Sequence, residues 1–146
     1  MSLNHGKVWW SELMTHDAEA ARAFYETTCG WRFETVRMSE GDYHVAHVHG
    51  AAVAGIMALP ESMAGVAPHW FTYLAVDDVD ASVEGLEAAG GALVRAPFDV
   101  PQAGRIAIVK DPSGATVGLM TPVEARVGAV KGEPDAGDPP LEDVPL

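Results

Sequence analysis

Residues 9–31, WWSELMTHDAEAARAFYETTCGW, and residues 69–91, HWFTYLAVDDVDASVEGLEAAGG, come into register when offset by 61 positions. Trp9 then falls on Trp70, Trp10 on Phe71, Leu13 on Leu74, Asp17 on Asp78 and Gly30 on Gly91. Self-similarity at a fixed offset marks a duplicated structural unit, and it governs every later assignment. Each copy opens with an apolar-rich run of strand length, Lys7 to Met14 and His69 to Val76. An Asp follows at the position of a helix N-cap, where a short carboxylate accepts the orphan N–H groups of the first turn. Ala20, Ala21, Phe24 and Tyr25 then recur at helical spacing in the first copy, and Val79, Val83, Leu86 and Ala89 in the second, each predicting one buried stripe. Gly30 and the pair Gly90-Gly91 provide the left-handed residue that commonly closes a helix.

Three short strand-like runs come after each helix, at about 31–38, 43–49 and 52–59 and again at about 92–98, 105–110 and 115–121. SEGD and HGA break the first set. KDPSGAT breaks the second, with Pro112 where a type I turn fixes φ and Gly114 where positive φ is needed. Each module is thus βαβββ, module one over about 7–60 and module two over about 68–122, giving an α+β domain over 1–122. The last strands carry Gly55-Ile56-Met57 and Gly118-Leu119-Met120, 63 residues apart. A glycine weakens a strand interior and marks a bulge or a place where something needs room.

A chain of 146 residues can bury roughly 68–70% of its unfolded surface in one core. No apolar run approaches the roughly 18 residues of a membrane span. The N-terminus lacks an apolar core behind a positive start, so a cytoplasmic location is expected. The single Cys29 provides neither an internal disulfide nor a thiolate cage. With 21 acidic against 9 basic residues the net charge is −12, which repels phosphate backbones and anionic membranes. Neither nucleic acid nor membrane is an expected partner. The last 25 residues hold six acids, two bases and five prolines, so 123–146 is expected to form an acidic, Pro-rich, largely irregular tail. Its Val and Leu residues could still dock on the domain or on a second copy.

These segments together, ARAFYETTCGW after the first strand, LAVDDVDASVEGLEAAGG within the fifth strand and second helix, and DPSGATVGLM at the last hairpin, resemble the vicinal oxygen chelate superfamily of glyoxalases, bleomycin-resistance proteins and extradiol dioxygenases. The resemblance covers about residues 7–122. It implies paired βαβββ modules whose sheets curl into a U-shaped cleft, and, in metal-using members, one His or Glu ligand from the first and last strand of each module. Carried onto this chain, those four positions are Trp10, Gly55, Phe71 and Gly118. None can bind a metal through its side chain, so no metal and no other cofactor is expected. The resemblance also implies a small-molecule ligand and, because related proteins often pair, a homodimer.

Strand alternation puts Glu12 with Trp10, and His69 and Tyr73 with Phe71. Glu12 beside an apolar cleft is a candidate general acid or base; its alternatives are solvation at the mouth or pairing with an Arg such as Arg105. Tyr73 is a candidate partner or ligand-orienting hydroxyl. Trp10, Gly55, Met57, His69, Phe71, Gly118 and Met120 are the expected ligand-binding residues, the two glycines leaving gaps and the thioethers adapting to shape. In YHVAHVHG, His47 and His49 share one strand face and His44 the other, so a two-His metal pair is geometrically open, although no further ligand is evident. Three functions fit the sequence: a metal-free binding protein for an apolar or aromatic compound, an acid–base enzyme using Glu12, or a module acting through its acidic tail. A metal-dependent lyase or dioxygenase is the alternative suggested by the superfamily.

Overall fold

The computed structural model describes residues 2–38, 41–100 and 103–123. Of the expected tail at 123–146, all but Val123 lies outside the described residues. The elements run β1 (Val8–Thr15), α1 (Ala18–Cys29), β2 (Arg32–Met38), β3 (Gly41–Val48), β4 (Ala51–Ala58), a 3-10 turn (Glu61–Met63), β5 (His69–Ala75), α2 (Val79–Glu84), β6 (Ala92–Val100), β7 (Gly104–Lys110) and β8 (Thr116–Pro122). The order βαβββ therefore occurs twice, as the repeat predicts. All eight strands form one open sheet, ordered β2-β3-β4-β1-β5-β8-β7-β6. Within each half the first strand runs parallel to the last, β1 with β4 and β5 with β8, while β1 and β5 join the halves antiparallel.

Local chemistry explains the helix boundaries. Asp17 caps α1 by accepting from the Ala20 N–H, and Asp78 caps α2 by accepting from the Ala81 N–H. Gly30 closes α1 at φ 70°. Two expectations need correction. The α1 stripe is not buried: Ala20 and Phe24 are exposed, Ala21 and Tyr25 are half-buried, and no α1 residue is fully buried. Instead α1 is pinned by aromatic packing, with Tyr25 stacked on Trp31 at 5.1 Å and meeting Trp70 edge-on at 5.6 Å. In the second module α2 ends at Glu84, so Leu86 and Ala89 lie in the turns that follow; Leu86 still packs against the Val79, Ala107 and Val109 cluster.

Alternation separates the two sheet faces. Val79 of α2 packs with Ala107 and Val109, which define the helix face of β7. The opposite, inner face carries Met14, Tyr43, Val45, Met57, Phe71, Tyr73, Ile106, Ile108 and Met120 in a single cluster fed by both halves. Among the described residues, no helix is long and apolar enough to cross a membrane.

Candidate functional site

Glu12 stands in mid-β1, opposite Gly55 of β4 on one side and Phe71 of β5 on the other. Its carboxyl therefore rises from the centre of the inner face, and its exposure is 0%. The Tyr43 hydroxyl donates to Glu12 Oε1 at 2.7 Å, and the Tyr73 hydroxyl donates to Oε2 at 3.1 Å. Trp10 Nε1 in turn donates to the Tyr43 hydroxyl at 3.0 Å. Four side chains from three strands form one hydrogen-bonded chain in an apolar surround.

Burial pushes the Glu12 carboxyl up from 4.5 to about 8, even though both tyrosine hydrogen bonds oppose the rise. Burial likewise lifts Tyr43 and Tyr73 well above the usual phenol range, with the nearby Glu12 charge adding to the effect. The group accordingly favours the neutral acid at pH 7. An indole only donates, so the chain has a fixed sense at its Trp10 end. At the other end the sense depends on Glu12: the carboxylate accepts from Tyr73, whereas the neutral acid can donate to the Tyr73 oxygen and free its proton for another acceptor.

The two glycines serve this arrangement. A Cβ on Gly55 would run into the Tyr43 hydroxyl and ring, and one on Gly118 would run into the Tyr73 ring and approach Phe71 Cε2 to 3.1 Å. The expected gaps are therefore already filled by tyrosine rings. Glycine in β4 lets Tyr43 lean over from β3 and reach Glu12 on β1. Sequence reasoning did not single out Tyr43. Its signal was parity: Tyr43 shares a face with Val45, two places along, and Val45 pairs with Gly55.

Other expected site residues separate. Met57 and Met120 are buried on the inner face at 8% and 3% exposure, and Phe71 at 7%. Trp10 is half-buried at its edge. His69 is exposed, opposite Met14, and its ring engages the carbonyl of Ala67. Arg105 does not pair with Glu12; it binds Asp80 and Asp99 on the surface at 2.7 and 3.1 Å. His44 is buried on the helix face against Thr35, where burial first and Arg22 second lower its pKa. His49 lies beyond the end of β3 with φ 51°, which breaks the alternation expected to join it with His47.

A metal fits the four superfamily positions poorly. Trp10, Gly55, Phe71 and Gly118 offer no side-chain ligand, the glycine sites are overlain by tyrosines, and both Glu12 oxygens are engaged. Among the described residues, no three His, Cys, Asp or Glu side chains gather as a metal group.

The sequence profile of the Glyoxalase/Bleomycin resistance protein/Dioxygenase superfamily matches residues 5–119. The chain belongs to this superfamily. It is 39% identical over 118 residues to the Mycobacterium tuberculosis protein named "Putative glyoxylase CFP32", covering 80% of this chain and 44% of that one. It is 38% identical over 128 residues to the anthracycline biosynthesis protein DauV of Streptomyces sp. strain C5, covering 87% and 46%. The chain thus spans less than half the length of these curated relatives. Methylmalonyl-CoA epimerase from Mycobacterium tuberculosis shares the fold, with TM-score 0.65, 19% identity and coverage of 88% and 96%.

Proposed function

We propose that this superfamily member binds a small, largely apolar or aromatic molecule on the inner face of its sheet, without a metal ion at the four strand positions. The observation that carries the reading is the Glu12–Tyr43–Tyr73 group: one buried acid with two hydroxyls, ringed by Phe71, Met57, Met120 and Met14. Few polar groups in an apolar lining are the usual make-up of a small-molecule site. A ligand reaches them by displacing the half-buried side chains around the cluster, among them Trp10, Met38, Met63 and Phe98. Two of these are methionines, whose flexible thioethers repack at low cost. The name of DauV, from anthracycline biosynthesis, accords with an aromatic ligand.

Elemental analysis with a thermal-shift screen of metals and aromatic compounds tests the reading. Less than about a tenth of a metal per chain, with stabilisation by organic compounds alone, is expected, because a ligand that prefers the folded state raises its stability. Stoichiometric metal, or stabilisation by Zn, Ni, Mn or Fe, overturns it.

A second reading is favoured by the raised Glu12 pKa: acid–base catalysis, with neutral Glu12 passing a proton through Tyr73 to a bound carbonyl oxygen. Turnover that survives chelation and is lost in Glu12→Gln supports it; binding with no turnover leaves the first reading. Two copies are proposed to pair in solution, which light scattering checks.

A further inference from the structure

The edge strand β6 brings a cation to the rim of the same face. Its pairing with β7 slips twice, between Leu93 and Arg95 and between Arg95 and Phe98. Pro97, which has no N–H for the ladder, lies inside the second slip. Arg95 ends opposite Ile108 and Phe98 opposite Ile106. Both isoleucines belong to the inner-face cluster. Residues three apart on a regular strand point to opposite faces, so the irregularity is what sets Arg95 and Phe98 on one side.

The Arg95 guanidinium lies over the Phe98 ring, its Cζ 3.7 Å from the centroid. Phe98 is half-buried and packs against the cluster containing Tyr73, while Arg95 is exposed. The charge reaches inward, since Arg95 acts to lower the Tyr73 pKa against the larger effect of burial. Arg22, Arg37 and Arg105 each hold a carboxylate: Glu19 at 2.9 Å, Asp42 at 3.0 Å, and Asp80 with Asp99. Among the described residues, Arg95 and Arg32 have no carboxylate within ion-pair distance, and Arg32 stands on β2 at the opposite edge of the sheet from β6. In a chain of net charge −12, that leaves a planar donor fork, held in place by an aromatic ring, beside an apolar site.

We infer that Arg95, seated on Phe98, anchors the anionic group of the ligand, so that the preferred compounds are aromatic or apolar carboxylic acids whose body lies toward Phe71 and Tyr73. The inference rests on the proposed small-molecule reading and narrows its substrate class. A guanidinium suits this task because its fork matches a carboxylate with two parallel hydrogen bonds and its flat face stays on the ring. Of the unpaired arginines, Arg95 is the one whose guanidinium is seated on a ring that packs against the Tyr73 cluster, and that places the anion contact at this rim.

Matched acids and carboxamides test it: 2-naphthoate with 2-naphthamide, salicylate with salicylamide, and anthraquinone-2-carboxylate with its amide, titrated by calorimetry into the wild type, Arg95→Gln and Arg95→Lys. The wild type is expected to favour the acids by about tenfold or more, the scale of one charge-assisted contact. Arg95→Gln should abolish that preference and Arg95→Lys should keep part of it, with amide affinity falling far less than acid affinity in both. An unchanged melting temperature shows that the variants keep the fold. Equal binding of acids and amides by the wild type, or a preference that survives Arg95→Gln, overturns the anchor and leaves the small-molecule reading standing. Binding of neither series overturns that reading and the anchor together.

Discussion

Replacing Glu12 by Gln should remove a pH dependence of stability that the fold imposes. The ordinary carboxyl releases its proton near 4.5, whereas buried Glu12 keeps it to about 8. Between these values the folded chain holds one proton more than the unfolded chain, so stability falls as pH rises. The contribution is complete below about pH 4.5 and exhausted above about pH 8. At about 1.4 kcal/mol per pH unit, the loss across that window is about 5 kcal/mol. That is a large part of the 5–15 kcal/mol by which most domains are stable. The glutamine side chain would copy the neutral acid, its amide oxygen accepting from Tyr43 and its N–H donating to the Tyr73 oxygen. The variant should match the wild type within about 1 kcal/mol at pH 5 and exceed it by several at pH 8. His44, whose folded pKa is lowered, changes stability in the opposite direction near and below its ordinary 6.5, but it does so in both proteins and cancels in the difference. Urea denaturation from pH 5 to 9 measures the effect; with a slope of about 1–3 kcal/mol per molar, the wild-type midpoint should fall by on the order of 2 M. Parallel wild-type and Glu12→Gln profiles would refute the assignment of a proton to buried Glu12.

Gly55→Ala drives a methyl into Tyr43 and should cost about 1–3 kcal/mol as overpacking; the cost should shrink in a Tyr43→Ala background, a coupling that denaturation of all four combinations reads directly. Asp17→Ala removes the side-chain acceptor for the Ala20 N–H and should destabilise the chain by about 1 kcal/mol, visible as a lower urea midpoint with an unchanged slope. Treatment with a strong chelator should leave the melting temperature where it was. A fall of several degrees, restored by adding a divalent metal, would show that donors other than those at the four strand positions converge.

Much of the fold was written in short-range signals. Asp17 and Asp78 cap helices because a carboxylate reaches the N–H three residues on, and Gly114 takes φ 95° because the turn needs it. Neither requires knowledge of distant chain. The end of α2 was less legible, since Val83 and Leu86 both face the Ala107 and Val109 cluster whether or not the helix continues between them. Glu12 could be singled out by alternation and by the apolar residues around it. Tyr43 could not, because its role is a diagonal reach across β4 that becomes visible only when Val45 is seen to pair with Gly55. His69 begins β5 with its ring against the Ala67 carbonyl, a local contact that strand alternation does not foretell.

The sequence by itself determined the duplication, the two βαβββ modules and the face on which Glu12 lies, since these follow from repeat spacing, caps and the period of two along a strand. The tertiary structure alone decided what surrounds Glu12. Strands 31 and 61 residues away supply the hydroxyls that hold it, the glycines admit tyrosine rings, and a double slip at the edge sets Arg95 over the ring of Phe98. Those outcomes depend on register between strands remote in the chain, where a shift of one residue reverses every side chain.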